Sequence, residues 1–409
     1  MGKATYELGP PNPLTFIIGC FVHLFKLNIF RISKINDESS SALSELKMGT
    51  VIAYKRIALM KMSLHQIRGL KAAKNTLWVC LVFFSTAGVV APQIPAPKLL
   101  IVTLSPGVTG AEIQQSLDLL PESGGEVVLP PGTFEVRQPI VLQRDHQALR
   151  GSGDATILRL ADGANCPVII LGEPVNNPLS TVKDLHISDL FIDGNRYHQQ
   201  RELWRFLGEG SEIRNNGITV QNVSDSLVER VTCARCRSGG LVTTRDVRRL
   251  TVRDYTAFKN EFDGLACYQT TDCQFTGLYL HDNPGAGISL DLAFNHNVIS
   301  NAVLIANDLG IFMRESCDNQ FHNISIRDSH HYGIFITHAE KQTPYGWQPV
   351  PRTECVHNSF INLTAINCGS AAFWGDNNIR TNNVLIGAQF HDNVQGGLSP
   401  ARPDLVTVR

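Results

Sequence analysis

The sequence predicts an all-β solenoid, a stack of coils of about 23 residues each. Three patterns carry that expectation. Gly217, Gly240, Gly264, Gly287, Gly310 and Gly333 recur at intervals of 23, 24, 23, 23 and 23 residues. Each is followed at once by an aliphatic residue (Ile218, Leu241, Leu265, Ile288, Ile311, Ile334), and two positions later by Val220, Thr243, Cys267, Leu290, Met313 and Ile336, the period-two signature of one strand face. Finally, 33 glycines and a charged fraction of 18% suit many short strands joined by tight turns. A chain of 409 residues has room for several domains, but a repeat array relaxes that count because each unit packs only on its neighbours.

The elements ahead of the repeat follow in order. Residues 92–98, Pro-Gln-Ile-Pro-Ala-Pro-Lys, read as a linker, and Ile113, Leu117 and Leu120 have the spacing of a short helix beginning at Gly110. Residues 124–134, GGEVVLPPGTF, predict a strand ending in a Pro-Gly turn, and residues 140–142, 149–153 (LRGSG) and 156–160 add further short strands. This succession, together with the strand-turn Asp189-Leu-Phe-Ile-Asp-Gly-Asn195, resembles the pectin lyase-like right-handed parallel β-helix superfamily over about residues 100–397. The resemblance implies a right-handed parallel β-helix over 99–409, with the helix capping its first coil. It extends distantly to uronan lyases and mannuronan C5-epimerases, but a fold of this kind hosts lyases, epimerases, hydrolases and non-enzymes alike.

The upstream region differs in charge. Residues 1–91 hold 11 Lys and Arg against 4 Asp and Glu, whereas residues 92–409 hold 25 against 33. An acidic body argues against a nucleic-acid partner. Lys61, Arg68, Lys71 and Lys74 precede an apolar run, Leu77–Ala91, that ends in small residues. This reads as a signal peptide over 60–91, directing the chain to the periplasm, cell surface or medium and touching a membrane only in transit. The rival reading, a retained anchor, requires a longer apolar run. Residues 1–59 read as a non-structural upstream extension. The body has eight cysteines. Cys233-Ala-Arg-Cys236 lacks the second pair a zinc site needs, and Cys317 with Cys355 is the one candidate disulfide. No cofactor is predicted; calcium has no clear aspartate cluster to hold it.

Aligned on their glycines, the coils place Asn260, Asn283, Asn307 and Asn367 near one turn, as structural ladder residues, and Phe275, Val298 and Phe321 as a second inward row. Two insertions interrupt the period, at Arg196–Arg214 and at Thr343–Thr353; the second sets the next coil near Ala372. The fourth residue after each glycine faces outward: Gln221, Thr244, Tyr268, Asp291, Arg314, Thr337, then Asp376. Tyr268, Asp291 and Arg314 therefore form a ladder about 10 Å long. With Asp263 and His338 they are the candidate catalytic residues; Arg245, Glu315, His331, Trp374 and Lys259 are candidates for substrate binding.

A uronate polymer suits this row. Removing the proton beside the sugar carboxylate needs a base, and a cation or hydrogen-bond donor to hold the developing charge. Arg314 has the planar fork for a carboxylate, Tyr268 or a histidine handles protons, and Asp291 orients them. The leading expectation is a polysaccharide lyase or C5-epimerase. The epimerase Asp-Pro-His strand is absent, however, with Ala266-Cys-Tyr268 at its position. The alternatives are an inverting glycoside hydrolase using Asp263 and Asp291, and a glycan-binding surface protein whose Phe312, Phe335 and Trp374 stack on sugars. Each residue also has a plainer reading: Asp291–Arg314 as an exposed ion pair, Asp263 as a turn residue, and the aromatic strip as mutual packing.

Overall fold

A computed structural model describes residues 100–202, 213–337, 340–343, 346–349, 354–376, 382–398 and 406–408. The expected extension, signal peptide and linker lie outside the described residues, as does His338. Among the described residues the chain winds into a right-handed parallel β-helix with three parallel sheets of 14, 9 and 6 strands; one antiparallel hairpin, Glu340–Thr343 with Gly346–Pro349, lies in the second insertion. A coil contributes a strand of three to six residues to the 9-stranded sheet, two to the 6-stranded sheet and usually eight to the 14-stranded sheet.

The predicted register is observed. Ile218, Leu241, Leu265, Ile288, Ile311 and Ile334 pair in sequence, extended by Ile140 and Ile169 at one end and Phe373 at the other. All nine are fully buried and head one continuous apolar core. The repeat glycines owe their place to how closely the coils approach. A Cβ on Gly240 would stand 2.5 Å from the Gly264 carbonyl oxygen, and one on Gly287 3.0 Å from that of Gly310. The Gly240 position also abuts the Asn260 amide at 3.0 Å, so the missing side chain leaves room for a buried ladder. There Asn260 and Asn283 donate to the side-chain oxygens of Asn283 and Asn307, at 3.1 and 2.9 Å, and to carbonyls of the preceding coil. Turn groups sealed from water are satisfied in this way.

Helix α1, Gly110–Asp118, closes the first coil. Thr109 and Glu112 form a capping box, and Ile113 and Leu117 are fully buried. Gln114 pairs with both backbone groups of Val141 (2.7 and 3.1 Å), satisfying the edge strand that would otherwise recruit another chain.

Three expectations need correction. Asn367 is exposed and donates to Asp328 at 2.7 Å, while Cys368 takes the buried turn position. The inward partner of Phe275 and Phe321 is Ile299 rather than Val298, because the turn after Asp291 holds two left-handed residues, Leu292 and Ala293, where its neighbours hold one. A second buried ladder, Asn297–Asn319–Asn358–Asn383, runs along another turn. Cys317 and Cys355 are both free thiols: Cys355 is sealed in the core whereas Cys317 is partly exposed.

Gly240→Ala is expected to lower stability by about 1–3 kcal/mol, because the added methyl meets backbone that cannot yield. Urea unfolding checks it; an unchanged midpoint would contradict the close-approach explanation.

Candidate functional site

The 9-stranded sheet positions the candidate residues. Within each strand they alternate with core residues, as Tyr268 does with Cys267 and Asp291 with Leu290. Tyr268 pairs in register with Asp291, and Arg314 donates through Nε to Asp291 Oδ2 at 2.8 Å and again through Nη2. The row is thus assembled from residues 23 apart, as the period predicts. It is not an open shelf: Asp291 is 1% exposed, Tyr268 6%, and the Arg314 side chain 14%. The surface ion pair envisaged from sequence is instead a buried one, with the Arg314 guanidinium seated 5.6 Å over the Phe312 ring.

Electrostatics follow from that burial. Desolvation drives the Asp291 carboxyl above the ordinary carboxylate range, opposed by Arg314 and by the Leu292 N–H it accepts at 2.7 Å. Glu315, the next residue after Arg314, has a left-handed backbone (φ 49°) that turns the chain sharply beside the row. Its carboxyl is also raised, first by burial and then by the charge of Asp291. Two carboxyls shifted upward and one guanidinium gather at this point, the pattern expected where protons are moved.

The other candidates do not join them. Asp263 precedes its strand and accepts from Ala286 N at 2.7 Å, which makes it a turn residue. Ala286 pairs one coil on, five residues before Asp291, so Asp263 and Asp291 sit roughly 16 Å apart along the strand direction. Carboxylates that flank a water lie within about 9.5 Å, so the predicted Asp263–Asp291 pair is not formed. His331 lies at the same far edge, exposed and 2.7 Å from Asp308. Lys259 belongs to the turn after a long strand, where its carbonyl accepts from Arg196. Arg245 occupies the turn position equivalent to Glu315 three coils earlier, and its backbone N–H donates to Gln269 Oε1 at 3.2 Å.

Trp374, Phe335 and Phe312 do form a strip, but its rings lie face to face along the solenoid axis. Phe335 and Trp374 stack at 4.6 Å and 4°, Phe312 and Phe335 at 6.1 Å and 18°, and Tyr332 packs against Phe335 and Trp374. Arg314 covers the outer face of Phe312. The rings thus pack on one another, as the plainer reading expects. Sequence reasoning missed the burial of the row, because an outward position in the period does not by itself fix exposure. It also missed Gln221, whose amide is committed to carbonyls of Glu173 and Val175.

The fold and site define a right-handed parallel β-helix protein with a polar row on one outer face. Residues 188–394, half of the chain, match the family described as "Periplasmic copper-binding protein (NosD)", and the chain belongs to that family. Proteins with curated descriptions give no significant sequence match. Among solved structures it is similar to ORF18 of Geobacillus virus E2 (15% identity, TM-score 0.54, covering 76% of this chain and 59% of that one). It is also similar to the enzymatically active domain of bacteriophage CBA120 tailspike protein 2 (15%, 0.51, covering 72% and 43%). A third is the catalytic domain of a GH87 alpha-1,3-glucanase in complex with nigerose (11%, 0.51, covering 78% and 69%). This chain spans 59% and 43% of the two viral proteins, and at such identities the likeness shows the fold alone.

The family description names copper, and the described residues do not fit that metal. Copper favours thiolate, thioether and imidazole donors converging on one point. Among the described residues no group of three or more His, Cys, Asp or Glu does so. Cys233 and Cys267 are sealed in the core, where burial pushes the first thiol up to about 12 and the second beyond that, leaving them protonated. His296 and His357 instead bracket the Asp318 carboxylate at 3.8 and 3.2 Å, from the coils on either side.

Glu315→Gln tests the raised carboxyl. A native value above the ordinary one near 4.5 gives stability that is complete below that value and lost as pH rises through the raised one. The gain in melting temperature of Glu315→Gln over the parent is therefore expected to grow as pH rises above the ordinary value near 4.5. A constant or shrinking difference would contradict the shift.

Proposed function

We propose that this chain is an exported β-helix protein that cleaves a polysaccharide, with Tyr268, Asp291, Arg314 and Glu315 as its acid–base centre. The observation that supports it best is the buried Asp291–Arg314 pair with Tyr268 in register and a second raised carboxyl alongside. Glu315, whose carboxyl is raised by burial and then by the charge of Asp291, takes the part of the acid that donates its proton to the leaving glycosidic oxygen. Asp291, balanced by Arg314, carries the negative charge that opposes the developing positive charge on the sugar and draws a proton from the attacking water. Tyr268 orients that water through its hydroxyl. The Arg314 fork is engaged by Asp291, which favours this hydrolytic reading over the uronate lyase expected from sequence. Export is supported by the family's periplasmic description and by the basic and apolar pattern of residues 60–91.

Arg314→Ala is a poor test, because it strands a buried carboxylate at a cost of about 3–5 kcal/mol. Tyr268→Phe and Glu315→Gln remove one hydroxyl and one proton while keeping shape. On a panel of neutral and acidic polysaccharides the parent is expected to release reducing ends, and each variant to lose at least about 100-fold in rate with no loss of melting temperature. Products with ultraviolet absorbance would identify the lyase instead. Full activity in both variants would overturn the site assignment.

A further inference from the structure

The outer face of the site sheet runs past the catalytic row toward the N-terminal coils. The residues two after each glycine form one column: Ser289 pairs with Ala266, Ala266 with Val242, Val242 with Thr219, Thr219 with Ile170 and Ile170 with Val141. At the Val141–Ile170 end the column floors a cavity of about 530 Å³, a size that suits a small organic ligand. It lies three to four coil steps, roughly 14–19 Å, from the small Ala266–Ser289 pair beside Tyr268 and Asp291.

The lining is chemically specific. Val141, Ile170 and Ile213 give it an apolar surface, and the side-chain amides of Gln138, Gln143 and Asn215 face it without a hydrogen-bond partner among the described residues. An amide offers donor and acceptor side by side, which matches neighbouring hydroxyls on a ring. Asp118 is the one charged residue among the described lining, and it already accepts from Gln114 at 2.9 Å. An anionic ligand finds no cation among the described lining residues. One wall is fastened to the same outward position two coils before Tyr268, where Gln221 holds the segment that carries Pro174.

We propose that this cavity binds an uncharged, hydroxyl-rich sugar ring of the glycan whose cleavage site lies over Tyr268 and Asp291, so that the protein selects a polymer with neutral units several residues from the bond it breaks. The proposal rests on the glycan reading above. Its test is calorimetric titration of the full-length Glu315→Gln protein, so that binding is read apart from turnover. The probes are cellohexaose, laminarihexaose and nigero-oligosaccharides against hexagalacturonate. A neutral oligosaccharide is expected to bind, with affinity falling about tenfold in Gln143→Ala/Asn215→Ala as hydrogen bonds are lost. Ile213→Trp, which fills the cavity without removing an amide, is expected to weaken binding as strongly. Unchanged affinity in both variants, or binding of hexagalacturonate alone, would overturn the proposal even if the parent cleaves glycans. Binding without turnover by the parent would instead overturn the catalytic reading and leave this one standing.

Discussion

The structure depends on how closely one coil can lie on the next. At the repeat position the backbone of each coil meets the glycine carbonyl of its neighbour with no space for a Cβ, and a ladder of asparagine side chains fills the adjoining turn. Such contacts permit a single register. A slip of one residue would turn the apolar row out of the core and drive the outer row into it. The same constraint that builds the core therefore decides which polar residues become neighbours outside it.

Asp291 and Arg314 show the consequence. Neither is needed by the solenoid, since the other coils carry Gln221, Thr244 and Thr337 at equivalent positions. Stacking brings the two together under cover, where an ion pair has to be well satisfied to be tolerated. Asp291 meets that condition with two guanidinium contacts and one backbone N–H. Its charge then falls on Glu315, whose carboxyl is raised by burial and by that neighbour.

Much of the fold was legible because spacing and side-chain type agreed: the glycine interval, the inward aliphatic row and the capping helix all occur where the pattern places them. The errors have local causes. Val298 was assigned inward because the doubled left-handed turn at Leu292 and Ala293 shifts the following strand by one. Asn367 shares its chemistry with the ladder but stands one position early. At the site, the period grouped Tyr268, Asp291 and Arg314 correctly, while Asp263, His331 and Lys259 lie at other turns that clustering of ionisable types could not separate from the row. Burial of the row was not legible, because period two fixes which face a residue takes and not whether that face is covered; nor was the N-terminal cavity, whose lining comes largely from segments ahead of the regular repeat.

The central claim is that coil register makes two residues 23 apart in sequence a directly coupled pair on the outside of the solenoid. A double-mutant cycle of Asp291→Ala and Arg314→Ala, read by urea unfolding, measures that coupling. The account predicts single losses of about 3–5 kcal/mol each and a double variant far less damaged than their sum, since neither charge is left stranded. Additive losses would show that the two side chains do not meet, and would remove the basis for placing the acid–base centre here.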